Sequence, residues 1–151
     1  MFGRNRVRVL AVLLPLLFAG FGAEALAREC EAPPGLRKSP AKMAYFAVDS
    51  TEIRAKDQEW LIELAERFRG NPQAQFCVLG QADKTGDVAY NEKLALRRAE
   101  AVVAFLKEHG LGSKKFQVLT RGEAFGDTFV GRLLGDEQYE SDRRVEVVVM
   151  K

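Results

Sequence analysis

One histidine, two cysteines and one tryptophan in 151 residues leave this chain poor in the side chains that most often do chemistry. The single histidine and two cysteines cannot compose the Cys and His spacings of a zinc site, so no metal is expected, and no cofactor motif is present. Hydroxyl nucleophiles are equally scarce. Ser39, Ser50, Ser113 and Ser141 are the only serines, none stands in a G-x-S-x-G elbow, and His109 falls at the end of a predicted helix as an ordinary end residue. Glu63 and Glu66 are the nearest approach to a working carboxylate pair, and they lie on the charged outer face of another predicted helix. No catalytic residue is assigned, and the chain is not expected to be an enzyme. A charge excess is missing too: 23 Lys and Arg face 21 Asp and Glu, for a net +2. No segment carries the basic footprint that phosphate neutralisation demands, which sets nucleic-acid binding aside.

Long apolar runs are missing except for one. Val9 to Phe21 is almost wholly apolar, follows Arg4, Arg6 and Arg8, and precedes the small-x-small triplet Ala25, Leu26, Ala27. That reads as a signal peptide over residues 1–27, with the mature chain beginning near Arg28. Pro15 and Gly20 interrupt the run, which falls short of the ~20 residues of a spanning helix, so no spanning segment is expected after cleavage. Ala27, Arg28 and Glu29 before Cys30 lack the pattern for lipid attachment. Cleavage removes three arginines and one glutamate, so the mature chain is close to neutral. What is left is enough for one domain with a real core and too little for two.

Residues 28–42, with Pro33, Pro34, Gly35 and Pro40, read as a linker or extended lead-in, and residues 43–151 as the domain. MAYFAVDS, residues 43–50, predicts a strand. Trp60, Leu61, Leu64, Ala65 and Phe68 recur at three- and four-residue steps and predict a helix from Ala55 to Gly70. QFCVLG, residues 75–80, predicts an interior strand, and a second helix runs from about Val88 to His109, closed by Gly110. FQVLTRG from Phe116 and RVEVVVM at 144–150 predict the last two strands. Between them, residues 123–141 read as a long loop with a helical turn near Val130 to Leu134. Its apolar residues, among them Phe125, Phe129 and Leu133, suit either a satellite core or a surface for a partner protein. The order β-α-β-α-β-β predicts an α+β fold: a two-layer α/β sandwich with both helices on one face of a mixed four-stranded sheet.

One charge stands in the wrong place. Stepping from Leu94 through Arg98 to Val102 and Leu106 puts Arg98 in the stripe that faces the sheet. A buried guanidinium needs a partner, and Asp83, in the loop before that helix, is the nearest acidic candidate. Two readings stay open. The pair is an internal salt bridge, or it forms the two poles of a pocket that seats a zwitterionic amino-acid group, ammonium on Asp83 and carboxylate on the Arg98 fork. In the second case both side chains are partly solvated, and substituting either leaves the fold nearly intact. Cys30 and Cys77 are an even pair, open to one disulfide or to a buried thiol at Cys77 with Cys30 free.

GQADKTGDVAYNEKLALRRAEAVVAFL, residues 80–106, resembles the signature of the OmpA-like peptidoglycan-binding domain of outer-membrane anchors, peptidoglycan-associated lipoproteins and flagellar stators. Gly80, Asp83, Gly86, Tyr90, Asn91, Leu94, Arg98, Ala99 and Val102 meet its pattern at the proper spacing. Residues 45–53 and 142–149 resemble the family's first and last strands. The resemblance implies non-catalytic binding of the diaminopimelate residue in the peptidoglycan stem peptide by Asp83 and Arg98, with backbone amides near Asp49 helping to hold a carboxylate. Asn91 is expected to fix the loop and to reach the ligand secondarily, and Tyr90 to lie in the core. It also implies the periplasm of a Gram-negative bacterium, with outer-membrane association through an envelope protein partner. Ala82 and Ala95 stand where the family has hydroxyls. The alternative is a fold kept as a protein-interaction module of an envelope complex, without wall binding.

Overall fold

The computed structural model describes residues 30–123 and 140–151. The signal-peptide reading of residues 1–27 and the loop reading of 124–139 lie outside the described residues. Four strands, β1 (Lys42–Tyr45), β2 (Gln75–Ala82), β3 (Lys115–Glu123) and β4 (Arg144–Met150), and two helices, α1 (Ala55–Arg69) and α2 (Val88–Leu106), follow one another as β1-α1-β2-α2-β3-β4. The sheet order is β1-β4-β2-β3. β4 is antiparallel to both β1 and β2, whereas β2 and β3 run parallel across the α2 crossover, so the sheet is mixed.

Alternation along the two central strands sorts their side chains onto two faces. Phe76, Val78, Val145, Val147 and Val149 pack with Leu61, Ala65 and Phe68 of α1 and Ala99, Val102, Val103 and Leu106 of α2 in the main core. Cys77, Leu79, Val148 and Met150 point the other way and form a second apolar cluster with Cys30, joined at its edge by Ala32 and Leu36. Cys30 and Cys77 are joined by a disulfide. The lead-in is therefore extended but does not hang free. Arg37 and Lys151 exchange backbone hydrogen bonds, the Ser39 amide donates to the Val149 carbonyl, and Ala32 and Leu36 cover the sheet face that the helices leave open.

β1 is shorter than the sequence predicts. It ends at Tyr45, and although the Phe46 amide still donates to the Arg143 carbonyl, residues 46–50 then turn out of the ladder. The carbonyls they free are taken by arginine side chains. After α2, the chain leaves helical geometry at His109 (φ −92°, ψ 20°) and Gly110, which takes φ 106°, a left-handed conformation that suits glycine.

Gly80 marks the closest approach of α2 to β2. A Cβ built there would lie 2.0 Å from the Ala95 carbonyl oxygen and 3.3 Å from the Ala99 side chain. Backbone, not a movable side-chain tip, is in the way. Gly80→Ala is expected to destabilise by about 1–3 kcal/mol, toward the upper end, read as a fall in the denaturant midpoint at unchanged slope; a midpoint equal to the parent's contradicts the close approach.

Candidate functional site

The loop after β2 is built by its own residues. Gly86 takes φ 97°, Asp87 caps α2 by accepting from the Tyr90 amide at 2.8 Å, and the Asn91 side-chain amide donates to the Thr85 carbonyl at 2.9 Å. These bonds fix where Asp83 stands. One Asp83 oxygen accepts from both the amide (3.0 Å) and the hydroxyl of Thr85, and the other accepts from Arg143 Nη1 at 3.2 Å. An ionised carboxylate has about four lone-pair sites, so roughly one is left for a further donor. Burial alone raises the Asp83 pKa; the Thr85 hydrogen bonds and the bond and charge of Arg143 outweigh it, and the group titrates below its ordinary value. The stability these bonds supply is full above the unfolded-state pKa and is lost only as pH falls through the lower folded one.

Arg98 is completely buried. Its Nε donates to the Ser50 carbonyl at 2.8 Å, one terminal nitrogen to Ala47 at 3.0 Å and the other to Gln81 at 3.5 Å. The guanidinium also lies over the Phe46 ring, 5.4 Å from its centroid. Each terminal nitrogen carries a second N–H. Burial pushes the group down to about 10, Arg143 works in the same direction, and Asp83, Asp49 and Tyr90 oppose it, so the charge survives at neutral pH. The internal salt bridge is not formed: Asp83 pairs with Arg143, and Arg98 rests on backbone carbonyls. The expectation of a partly solvated Arg98 is likewise corrected, because α2 turns its buried stripe toward the 46–50 segment, whose carbonyls need donors.

Arg54 and Arg143 complete the clamp on that segment. Both donate to the Phe46 carbonyl, at 3.3 and 3.2 Å, and Arg54 also pairs with Glu140 at 3.0 Å. Neither was singled out from the sequence. The Asp142-Arg143-Arg144 run before β4 was the available signal, and nothing in it reveals a partner 60 residues away.

Asp49, Asp83, Asn91 and Arg98 all line one surface pocket, together with Val48, Ala82, Thr85, Tyr90 and Leu94. Its volume is about 90 Å³ and it opens to solvent, so it suits one end group of a longer ligand and not a ligand enclosed whole. A fixed cation and a fixed carboxylate on its wall suit a zwitterion. Ala82 stands on the pocket wall, whereas Ala95 does not line it and instead packs on Gly80. Tyr90 is not in the core: it is 43% exposed, at the pocket's rim, and its hydroxyl donates to Asp49. Among the described residues no group of three or more His, Cys, Asp or Glu could hold a metal, and no helix is long and apolar enough to cross a membrane.

A model of the OmpA family matches residues 45–131. Outer membrane protein 40 of Porphyromonas gingivalis is 30% identical over 109 residues, which is 72% of this chain and 26% of that protein. The peptidoglycan-associated lipoprotein of Brucella melitensis is 33% identical over 78 residues, 52% of this chain and 46% of that one. The chain thus spans between a quarter and a half of these relatives' length. In structure, the peptidoglycan-associated lipoprotein of Burkholderia pseudomallei superposes with a TM-score of 0.61 at 26% identity, covering 71% of this chain and 88% of that one.

Proposed function

Because the chain belongs to the OmpA family, we propose that it binds peptidoglycan without cleaving it, seating the free end of the stem peptide's diaminopimelate residue between Asp83 and Arg98. The observation that carries the reading is the pocket itself. A buried guanidinium with two N–H groups to spare and an ionised carboxylate with one acceptor site left share a cavity that suits one end group of a longer ligand. The ligand's carboxylate would take the guanidinium and the backbone amides of the Asp49 turn, its ammonium would take Asp83, and Asn91 would hold the loop between them. On this reading the protein works in the periplasm of a Gram-negative bacterium, holding an envelope component at the wall, and reaches the outer membrane through a protein partner.

Sedimentation with purified sacculi tests it. Walls carrying diaminopimelate are expected to retain the protein, and walls with lysine at that position to bind roughly 10- to 100-fold more weakly, because lysine lacks the second carboxylate and so loses one charge-assisted hydrogen bond of about 1.5–3 kcal/mol. Asp83→Asn, close in shape but without the charge, is expected to lose binding, and Lys93→Ala, exposed on α2, to keep it. Equal binding to both walls overturns the pocket assignment. No binding to either favours the second reading, a protein-interaction module, which Ala82 on the pocket wall supports by removing a hydroxyl from the site.

A further inference from the structure

The Tyr90 hydroxyl donates to a carboxylate oxygen of Asp49, tying the first turn of α2 to the 46–50 turn beside the pocket that both residues line. Burial does not explain the ring's place, since it is among the more exposed large side chains. The Arg97 guanidinium lies over it, 5.6 Å from its centroid, so the ring is held at the rim. Asp49 has φ 51° and is the one non-glycine with positive φ among the described residues, a conformation aspartate accepts more readily than most. Its carboxylate is the second acidic group of the pocket, and its charge acts on Arg98.

That carboxylate is a hazard to the site. Arg98 keeps a second N–H on each terminal nitrogen, and a carboxylate on the 46–50 turn whose carbonyls it already holds competes for them at far higher effective concentration than a free ligand. A bond from a phenol to a carboxylate is charge-assisted and occupies the competitor. We propose that Tyr90 is a positioning residue that holds the Asp49 carboxylate away from Arg98 and so keeps the anion seat open for ligand. The inference rests on the reading of the pocket as a ligand site. The residue acts through Asp49.

The test is titration of a soluble diaminopimelate-containing muropeptide into the parent protein, Tyr90→Phe, and Tyr90→Phe combined with Asp49→Asn, all below their melting temperatures. If the freed carboxylate fills the seat about nine-tenths of the time, Tyr90→Phe binds roughly tenfold more weakly, and removing the charge in the double variant restores affinity to within about twofold of the parent. A merely structural tyrosine is not rescued in this way. Parent-like affinity in Tyr90→Phe, or a double variant as weak as the single, overturns the inference while leaving the pocket assignment standing. A parent protein that binds no muropeptide overturns the pocket assignment, and the inference is then judged without ligand. The Arg98 Nε–H resonance is expected to shift in Tyr90→Phe and to return in the double variant, and an unmoved resonance overturns it.

Discussion

Arg98→Ala is expected to lower the melting temperature by on the order of 10–20 °C, and not only to abolish binding. Removing the guanidinium takes a donor from the carbonyls of Ala47, Ser50 and Gln81, of which Ala47 keeps the Ser50 amide at 3.3 Å, and it empties a fully buried space over the Phe46 ring. Each buried acceptor left without its donor costs about 1–3 kcal/mol and the lost packing adds to that, and in a domain of this size each kcal/mol moves melting by about 2–8 °C. The residue is thus a structural clamp as well as a candidate ligand group, and loss of binding in this variant alone would prove little. Arg98→Lys separates the two roles. It keeps the charge but cannot serve three divergent carbonyls from one planar fork, so an intermediate loss of stability is expected with a larger loss of binding. An alanine variant melting within 2–3 °C of the parent would falsify the clamp.

Reducing the Cys30–Cys77 disulfide is expected to cost up to about 4 kcal/mol, from the loop closure entropy of its 47-residue separation. Denatured, unreduced protein is expected to show no free thiol, and Cys30→Ser to melt roughly 10–15 °C lower. The loss has a second component. Without the bond, Ala32 and Leu36 are held over Leu79, Val148 and Met150 by the few hydrogen bonds of residues 37–39, so apolar surface on that face opens to water. Wall binding measured well below the transition is expected to be unchanged, because the pocket lies at the far end of β2 and draws no residue from the lead-in. Two free thiols per chain, or an unchanged melting temperature on reduction, would count against the bond.

The parts of this architecture that depend on short-range pattern were legible in the chain. The three- and four-residue steps of α2 put Arg98 in its buried stripe, and the β-α-β-α-β-β order with a mixed sheet follows from element spacing. What escaped depends on contacts between distant segments. Arg143 reaches Asp83 across 60 residues and Phe46 across 97, and no periodicity records such pairings. The early end of β1 escaped for the same reason. MAYFAVDS has the composition of one strand, yet residues 46–50 leave the ladder because three arginines from elsewhere offer their carbonyls better partners. Tyr90, expected in the core, stands at the rim, where the 46–50 turn meets its hydroxyl at Asp49 but does not cover the ring.

The covalent strap across the back of the sheet also decides how the domain bears mechanical load. Tension arriving from the N-terminal side of Cys30 does not peel β1 from the sheet edge one bond at a time. It passes through sulfur directly into Cys77, in the middle of β2, a strand flanked on both sides by β3 and β4. The same strand runs on to Ala82 and the pocket loop. A pull between the chain's leading end and a ligand in the pocket is therefore carried lengthwise along β2, as shear against two neighbours at once. The chain between them, a sequence separation of 47 worth about 160 Å when extended, cannot pay out as slack while the bond is intact.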